Sequence, residues 1–165
     1  MEKPSPKFVV DSMLGRLARW LRLTGLDTLY LKVVSDEELL ERTRSENRIL
    51  LTRDKKLYQQ AIKEDLRSVL IPAGSNSEVL AFFSKTFNIQ FDIDPSSSRC
   101  PLCNGKITSV EKEIIRSKIP SPTFNRYDQF WQCIQCEKIY WMGSHYESMR
   151  KIITEIDSSI NEKVS

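Results

Sequence analysis

The 165-residue chain contains no apolar run near the roughly 20 residues that a membrane helix needs, which argues against a helical membrane span. Its polar opening, MEKPSPK, does not read as a signal peptide, so a soluble, cytoplasmic protein is expected. Glycine is scarce, five in all, and no glycine-rich phosphate loop occurs, which leaves nucleotide hydrolysis of the P-loop type unsupported. A charge excess of either sign is also missing. The formal net charge is +3, with 15 basic and 14 acidic groups in residues 1–94 and 10 and 8 in residues 95–165. Four thiolates on one zinc would add −2, leaving about +1. Attraction to nucleic acid must then come from local patches. Cysteine is confined to positions 100, 103, 133 and 136, and without an export signal metal ligation is a better account of it than disulfides. Histidine occurs once, as His145. With four sulfurs already enough for a zinc, it reads as a packed or surface residue, and contact with a phosphate is the lesser alternative.

What is present is ordinary for a globular protein: 40% hydrophobic and 28% charged residues, in a length that fits one average domain or two small ones. Residues 7–87 alternate strand and helix signals. KFVV (7–10), Thr28–Leu31, Arg48–Thr52 and Ser68–Ile71 read as strands. The helices expected between and after them are the stretch after Asp11-Ser12, residues 35–48, Lys55–Lys63 and Ser77–Phe87. In the first helix Leu14, Leu17, Ala18 and Leu21 form the apolar face, Arg16, Arg19 and Arg22 lie off it as a solvated strip, and Gly25 stands at the C-cap. This rhythm predicts an α/β fold with a mostly parallel sheet. It breaks at FDIDPSSSR (91–99), which reads as a linker, and residues 150–165 resume a weak helical pattern before a polar tail. Two units are expected: an α/β domain over residues 1–92, and a small zinc ribbon module with a C-terminal helix over 93–165.

RCPLCNG (99–105) and WQCIQCEKIYW (131–141) are two CxxC knuckles separated by 29 residues. A tight CxxC turn aims two sulfurs at one ion and a second pair completes a tetrahedron, so Cys100, Cys103, Cys133 and Cys136 are expected to hold a structural zinc. Gly105 follows the first pair where the chain must turn sharply. Redox chemistry is the competing reading, and two such pairs in one short segment suit ligation better.

Asp11, Asp36, Glu37, Glu38 and Asp54 each stand at an expected strand-to-helix junction. In a parallel sheet these junctions share the edge where ligands bind, and clustered carboxylates suit Mg²⁺ or Mn²⁺. Helix capping accounts for the same residues: Asp11 and Asp54 as N-caps, Glu38 in a capping box with Ser35, and Asp36 and Glu37 at the positive end of a helix dipole. On spacing alone both readings stand. Arg53, Lys55 and Lys56 beside Asp54, and Arg16 and Arg19 after Asp11, could offset the acids or hold a phosphodiester.

FVVDSMLGRLARWLRLTGLDT, SDEELLE, RILLTRDKKL, RCPLCNG and FWQCIQCEKIYWMGSHYESM together resemble the PIN-like RNase family known as the Mut-seven C-terminal RNase domain, over about residues 7–150. The resemblance implies a PIN-like domain joined to a zinc ribbon and metal-dependent cleavage of RNA. Asp11 and Asp54 match the first- and third-strand acids of the PIN pattern, and the Asp36–Glu37–Glu38 triplet matches its helix-start acids, Asp36 and Glu37 better than Glu38. The chain departs from the pattern in the loop after the fourth strand, where Asn76 and Glu78 stand but no aspartate does.

The function expected is a ribonuclease acting on single-stranded or loop RNA. Asp11 and Asp54 would be Mg²⁺ or Mn²⁺ ligands, with Asp36 or Glu37 as a further ligand. Arg16, Arg19, Arg53 and Lys55 would contact RNA phosphates. Phe130, Trp131, Tyr140, Trp141 and Tyr146 would either stack unpaired bases or pack around the zinc and the first domain. The runner-up is a non-catalytic RNA-binding or ribosome-associated module. A phosphatase acting on another phosphoester is a weaker third.

Overall fold

Two apolar runs, FVV and ILLT, form the centre of the larger sheet, and nearly every side chain in them is removed from water. The computed structural model describes residues 4–162. Within them β1 (Phe8–Val10), β2 (Thr28–Tyr30), β3 (Ile49–Thr52) and β4 (Ser68–Leu70) make a parallel sheet in the order β2-β1-β3-β4. Alternation along the strands divides the core into two layers. Phe8, Val10, Ile49 and Leu51 face one side, against α1 (Gly15–Leu23) and α4 (Asn76–Phe87). Val9 and Leu50 face the other, against Leu39, Leu40, Leu57 and Ala61 of α2 (Asp36–Ser45) and α3 (Lys55–Lys63). Each such Leu, Val or Phe contributes about 1.5–3 kcal/mol by leaving water. The α/β expectation therefore holds, with strand limits within one residue of the sequence reading at every strand.

A three-residue 3₁₀ turn, Ser12–Leu14, leads from β1 into α1. At its other end α1 stops where the leucine and glycine positions require. Gly25 has φ of +85°, its N–H bonds the Arg22 carbonyl, and the Leu26 N–H bonds that of Leu21, which makes a Schellman cap. A β-carbon at Gly25 would stand 2.7 Å from the Ser97 carbonyl oxygen. Gly25→Ala is expected to lower stability by about 1–3 kcal/mol, read as a fall in the denaturation midpoint, because it adds a clash to a left-handed conformation.

Arg22 overturns one expectation. It is not part of a solvated strip but only 4% exposed. Its Nε donates to the Thr28 carbonyl at 2.9 Å, and its Nη1 donates to the carbonyls of Pro101 and Leu102 at 3.0 and 3.3 Å. Burial lowers its pKa from the ordinary arginine value, although the Cys100 and Cys103 sulfurs oppose that shift. Helical spacing shows only what α1 presents, and here the first cysteine knuckle closes over that flank. The segment read as a linker is likewise packed. Phe91 and Ile93 are buried in the core of the parallel sheet, and the Ser98 hydroxyl donates to the Leu23 carbonyl.

The smaller sheet is antiparallel: β5 (Ile107–Val110), β6 (Phe130–Cys133) and β7 (Ile139–Tyr140), in that order. The 29 residues between the knuckles also hold a 3₁₀ helix, Lys112–Lys118, and α5 (Ser121–Arg126). In them Lys112 and Arg116 cover the Phe124 ring. α6 (Ser144–Glu162) then crosses back to α4 and inserts Ile156 into the core of the parallel sheet.

Candidate active site and metal centre

In a sheet of order β2-β1-β3-β4 the chain leaves β1 and β3 in opposite directions, so a crevice opens beyond their carboxyl ends. Ligands of open α/β sheets bind at such a switch point. Asp11 follows β1 directly and extends its pairing, its N–H bonding the Leu51 carbonyl at 3.0 Å. Asp54 follows β3 by two residues. The Thr52 hydroxyl joins them, donating to Asp11 Oδ2 at 2.9 Å and accepting from the Asp54 N–H at 2.9 Å. The two acids, 43 positions apart in sequence, thus meet on one hydroxyl.

Their roles differ. Asp54 is the N-cap of α3: its Oδ1 accepts from the N–H groups of Lys56 and Leu57 at 2.7 and 3.2 Å. Its Oδ2 accepts nothing among the described residues. Asp11 caps nothing, although it precedes a helical turn. It is 9% exposed, and two hydroxyls, of Ser12 and Thr52, are its side-chain partners, with no cation within ion-pair distance among the described residues. A carboxylate taken this far from water without a positive partner is costly, and a divalent cation is the partner its surroundings fit.

Asp36 opens α2 on the same edge. Although Asp36 is exposed, partial desolvation and then the negative charges of Asp54, Asp11 and Glu37 push its carboxyl above the ordinary value. The folded protein therefore binds that proton more tightly than the unfolded chain. The resulting stability is complete at acid pH and is lost as pH rises through the raised pKa. Asp36→Asn is expected to raise the melting temperature of protein free of Mg²⁺ and Mn²⁺ at pH 7, with the gain vanishing below about pH 4, near the ordinary aspartate pKa. An unchanged melting temperature at pH 7 would put Asp36 outside the field of the other acids. Glu37 is exposed and adds to that field, while Glu38 turns along the helix to Arg42 at 3.6 Å. Ser35 caps α2 through the Glu38 N–H.

These carboxylates are not a closed cage. Among the described residues the one group of three or more histidine, cysteine or acidic side chains tight enough to share an ion is Cys100, Cys103, Cys133 and Cys136. An open acidic edge still suits Mg²⁺, which takes one or two carboxylates, waters and substrate phosphates. In the loop after β4, Glu78 is engaged in a full capping box with Ser75, its carboxylate accepting from the Ser75 N–H at 2.7 Å. Asn76 instead lines a cavity of about 350 Å³ beside the acidic edge, together with Arg16, Arg53 and Gly74. The Arg53 Nε is buried there without a hydrogen-bond partner. Arg16, Arg19 and Lys55 are exposed, and none of the four basic residues expected at RNA forms an ion pair among the described residues.

The four cysteines are free thiols whose sulfurs all lie within 4.8 Å of one another. Cys100 and Cys136 sulfurs are 3.6 Å apart and those of Cys103 and Cys133 3.4 Å, close to the roughly 3.8 Å edge of a tetrahedron with 2.3 Å Zn–S bonds. The donor set fits zinc. Despite burial, backbone N–H groups of Cys136 and Gln135 bring the Cys133 thiol down to about 7, toward a thiolate, whereas burial pushes the thiols of Cys103 and Cys136 up. In each knuckle the left-handed turn falls on a non-glycine residue, Asn104 (φ 69°) and Glu137 (φ 60°). Gly105 is needed for a different reason from the one expected: a β-carbon there would lie 2.9 Å from the Cys133 sulfur.

Of the aromatics expected to stack on bases, Trp131, Tyr140, Trp141 and Tyr146 line a second cavity, together with His145. Phe130 does not; it is buried beneath Trp141, ring centres 6.4 Å apart. Sequence reading missed Thr52, the hydroxyl that connects the acids. The TRD triplet contains it, but only the parallel register aims it at Asp11. No helix among the described residues is long and apolar enough to cross a membrane. A family model described as the Mut7-C RNAse domain matches residues 6–153. No curated protein matches the chain.

Proposed function

Since the chain belongs to the Mut7-C RNAse domain family, we propose that it is a PIN-like, metal-dependent ribonuclease that cuts single-stranded or loop RNA at the acidic edge between β1 and β3. The observation carrying this reading is Asp11, a buried carboxylate without a cation, joined to Asp54 through Thr52 and within the field of Asp36. Asp11 and the free oxygen of Asp54 would hold Mg²⁺ or Mn²⁺, with Asp36 or Glu37 reaching it directly or through water. The cation would supply activation of the attacking water and neutralise charge on the phosphate. Thr52 fixes the orientation of Asp11, as hydrogen-bonding partners of metal ligands do. Arg16, Arg53 and Lys55 would steer phosphates to this edge, and Arg19 would extend their path along α1. Zinc at the four cysteines would be structural.

The test is incubation of purified protein with end-labelled single-stranded and duplex RNA in Mg²⁺, Mn²⁺ or Ca²⁺, measuring cleavage and binding together. Cleavage of the single strand in Mg²⁺ or Mn²⁺ is expected. A second reading, a non-catalytic RNA-binding or ribosome-associated module, draws on the β4–α4 loop, where Glu78 is committed to a helix cap. Tight binding with RNA left whole in every cation would favour that module and remove the enzyme.

A further inference from the structure

The cavity beside the acidic edge shares walls with a larger one. Arg16 and Asn76 line both the smaller one, next to Arg53, and the larger one of about 490 Å³ between α1, the ribbon and α6. The larger falls within the roughly 300–1,000 Å³ of small-ligand sites. It is walled mostly by apolar groups. Trp131 and Tyr140 are direct cross-strand partners in β6 and β7, so both rings stand on one face of the ribbon. On that face they pack against Cys100, Ile107 and Cys133, of which Ile107 also lines the cavity. Trp141 is backed by Phe130 and Tyr127, yet remains 37% exposed.

We propose that this cavity seats one unpaired nucleobase of the RNA, flanking the phosphate held at the Asp11–Asp54 edge; the inference rests on the ribonuclease reading above. Aromatic faces take any base by stacking, and the Asn76 amide offers both a donor and an acceptor to a base edge. The cations are placed for a backbone rather than for an apolar guest. Arg53 lines the inner cavity, Arg16 both, and Arg19 the outer, so phosphates passing Arg16 would deliver the next base to the tryptophans. A base in a duplex is stacked and paired, and cannot turn its face into such a chamber. The cavity thus gives the enzyme its preference for single strands.

The experiment uses full-length, zinc-loaded protein carrying Asp11→Asn, so that RNA is bound and not cut. Fluorescence anisotropy measures the affinity of a short single-stranded RNA and of a series in which each base in turn is replaced by an abasic sugar. One position is expected to weaken binding by about tenfold, within the range for base–aromatic stacking. In the same background Trp141→Leu should weaken the intact RNA about as much and become indifferent to that abasic site, while Trp141→Phe recovers most of the loss. Should the leucine variant not fold, the abasic series on protein with Trp141 intact decides alone. A flat abasic series, absence of RNA binding, or a Trp141→Leu protein that keeps both affinity and abasic pattern would overturn the base seat. Cleavage by unmodified protein is scored separately. A clear abasic position without cleavage removes the ribonuclease and keeps the seat, and cleavage with a flat series does the reverse.

Discussion

Asp11→Asn is expected to reduce RNA cleavage by at least about a hundredfold, the upper end of what losing even an outer-shell partner of a metal ligand costs. The same substitution should leave the melting temperature of protein free of Mg²⁺ and Mn²⁺ unchanged or raised. The two effects separate because Asp11 caps no helix and meets no cation among the described residues. Its burial is a cost to folding, and the amide keeps the shape while removing the charge. Thr52→Val should follow with a smaller loss of activity, about tenfold, because it frees Asp11 without deleting it. Asp54 needs two variants. Asparagine caps a helix as well as aspartate does, so Asp54→Asn tests the ligand role alone, whereas Asp54→Ala adds about 1 kcal/mol of lost capping. Thermal unfolding beside single-turnover cleavage for the four variants checks the set. Asp11→Asn protein that melts early and cuts normally would make Asp11 a structural residue and end the nuclease reading.

The contest between capping and ligation could not be decided from spacing, and the reason is physical. An aspartate at a strand-to-helix junction has the same sequence context whether its oxygens turn back to the helix or out to the crevice. Asp54 caps α3 with one oxygen and leaves the other without a partner among the described residues, whereas Asp11 caps nothing and meets only the hydroxyls of Ser12 and Thr52. The parallel sheet and its helices were legible because each element is encoded locally: FVV and ILLT as buried runs, Asp54 before the α3 helix, leucines at helical spacing in α1. The clustering of the four cysteines was legible from their spacing. Burial of Arg22, packing of Phe91 and Ile93, and the return of α6 to α4 were not legible. Each depends on which element covers which flank, a property of the assembled chain. That Arg16 and Asn76 wall two cavities at once belongs to the same class.

Arg22 also ties the first knuckle to β2 through its hydrogen bonds, and the second large effect follows from that tie. Extracting the zinc, or Cys100→Ser at its most buried ligand, is expected to lower the melting temperature of the whole protein by more than 10 °C, roughly what a loss of a few kcal/mol does to a chain of this size. Zinc binding in small Cys₄ modules contributes about 10–16 kcal/mol to their folding, so the knuckles would not survive its removal. With them go the Pro101 and Leu102 carbonyls, which leaves the buried Arg22 guanidinium short of acceptors, and the Asn104 side chain, which leaves the Thr28 N–H without its acceptor and Asp27 with Arg48 alone. Against the cost of burial, Arg48 and Asn104 now hold the Asp27 carboxyl below its ordinary range, so part of that ion pair's support is lost too. The damage should therefore reach β2 and the end of α1. Amide hydrogen exchange there ought to accelerate when a chelator is added, and recover on adding Zn²⁺ but not Mg²⁺. The Trp131–Tyr140 wall would fall with the knuckles, so single-strand binding should be lost in parallel. A zinc content far from one per chain, or exchange in β2 and α1 that ignores the chelator, would mean that the ribbon hangs on the sheet without supporting it.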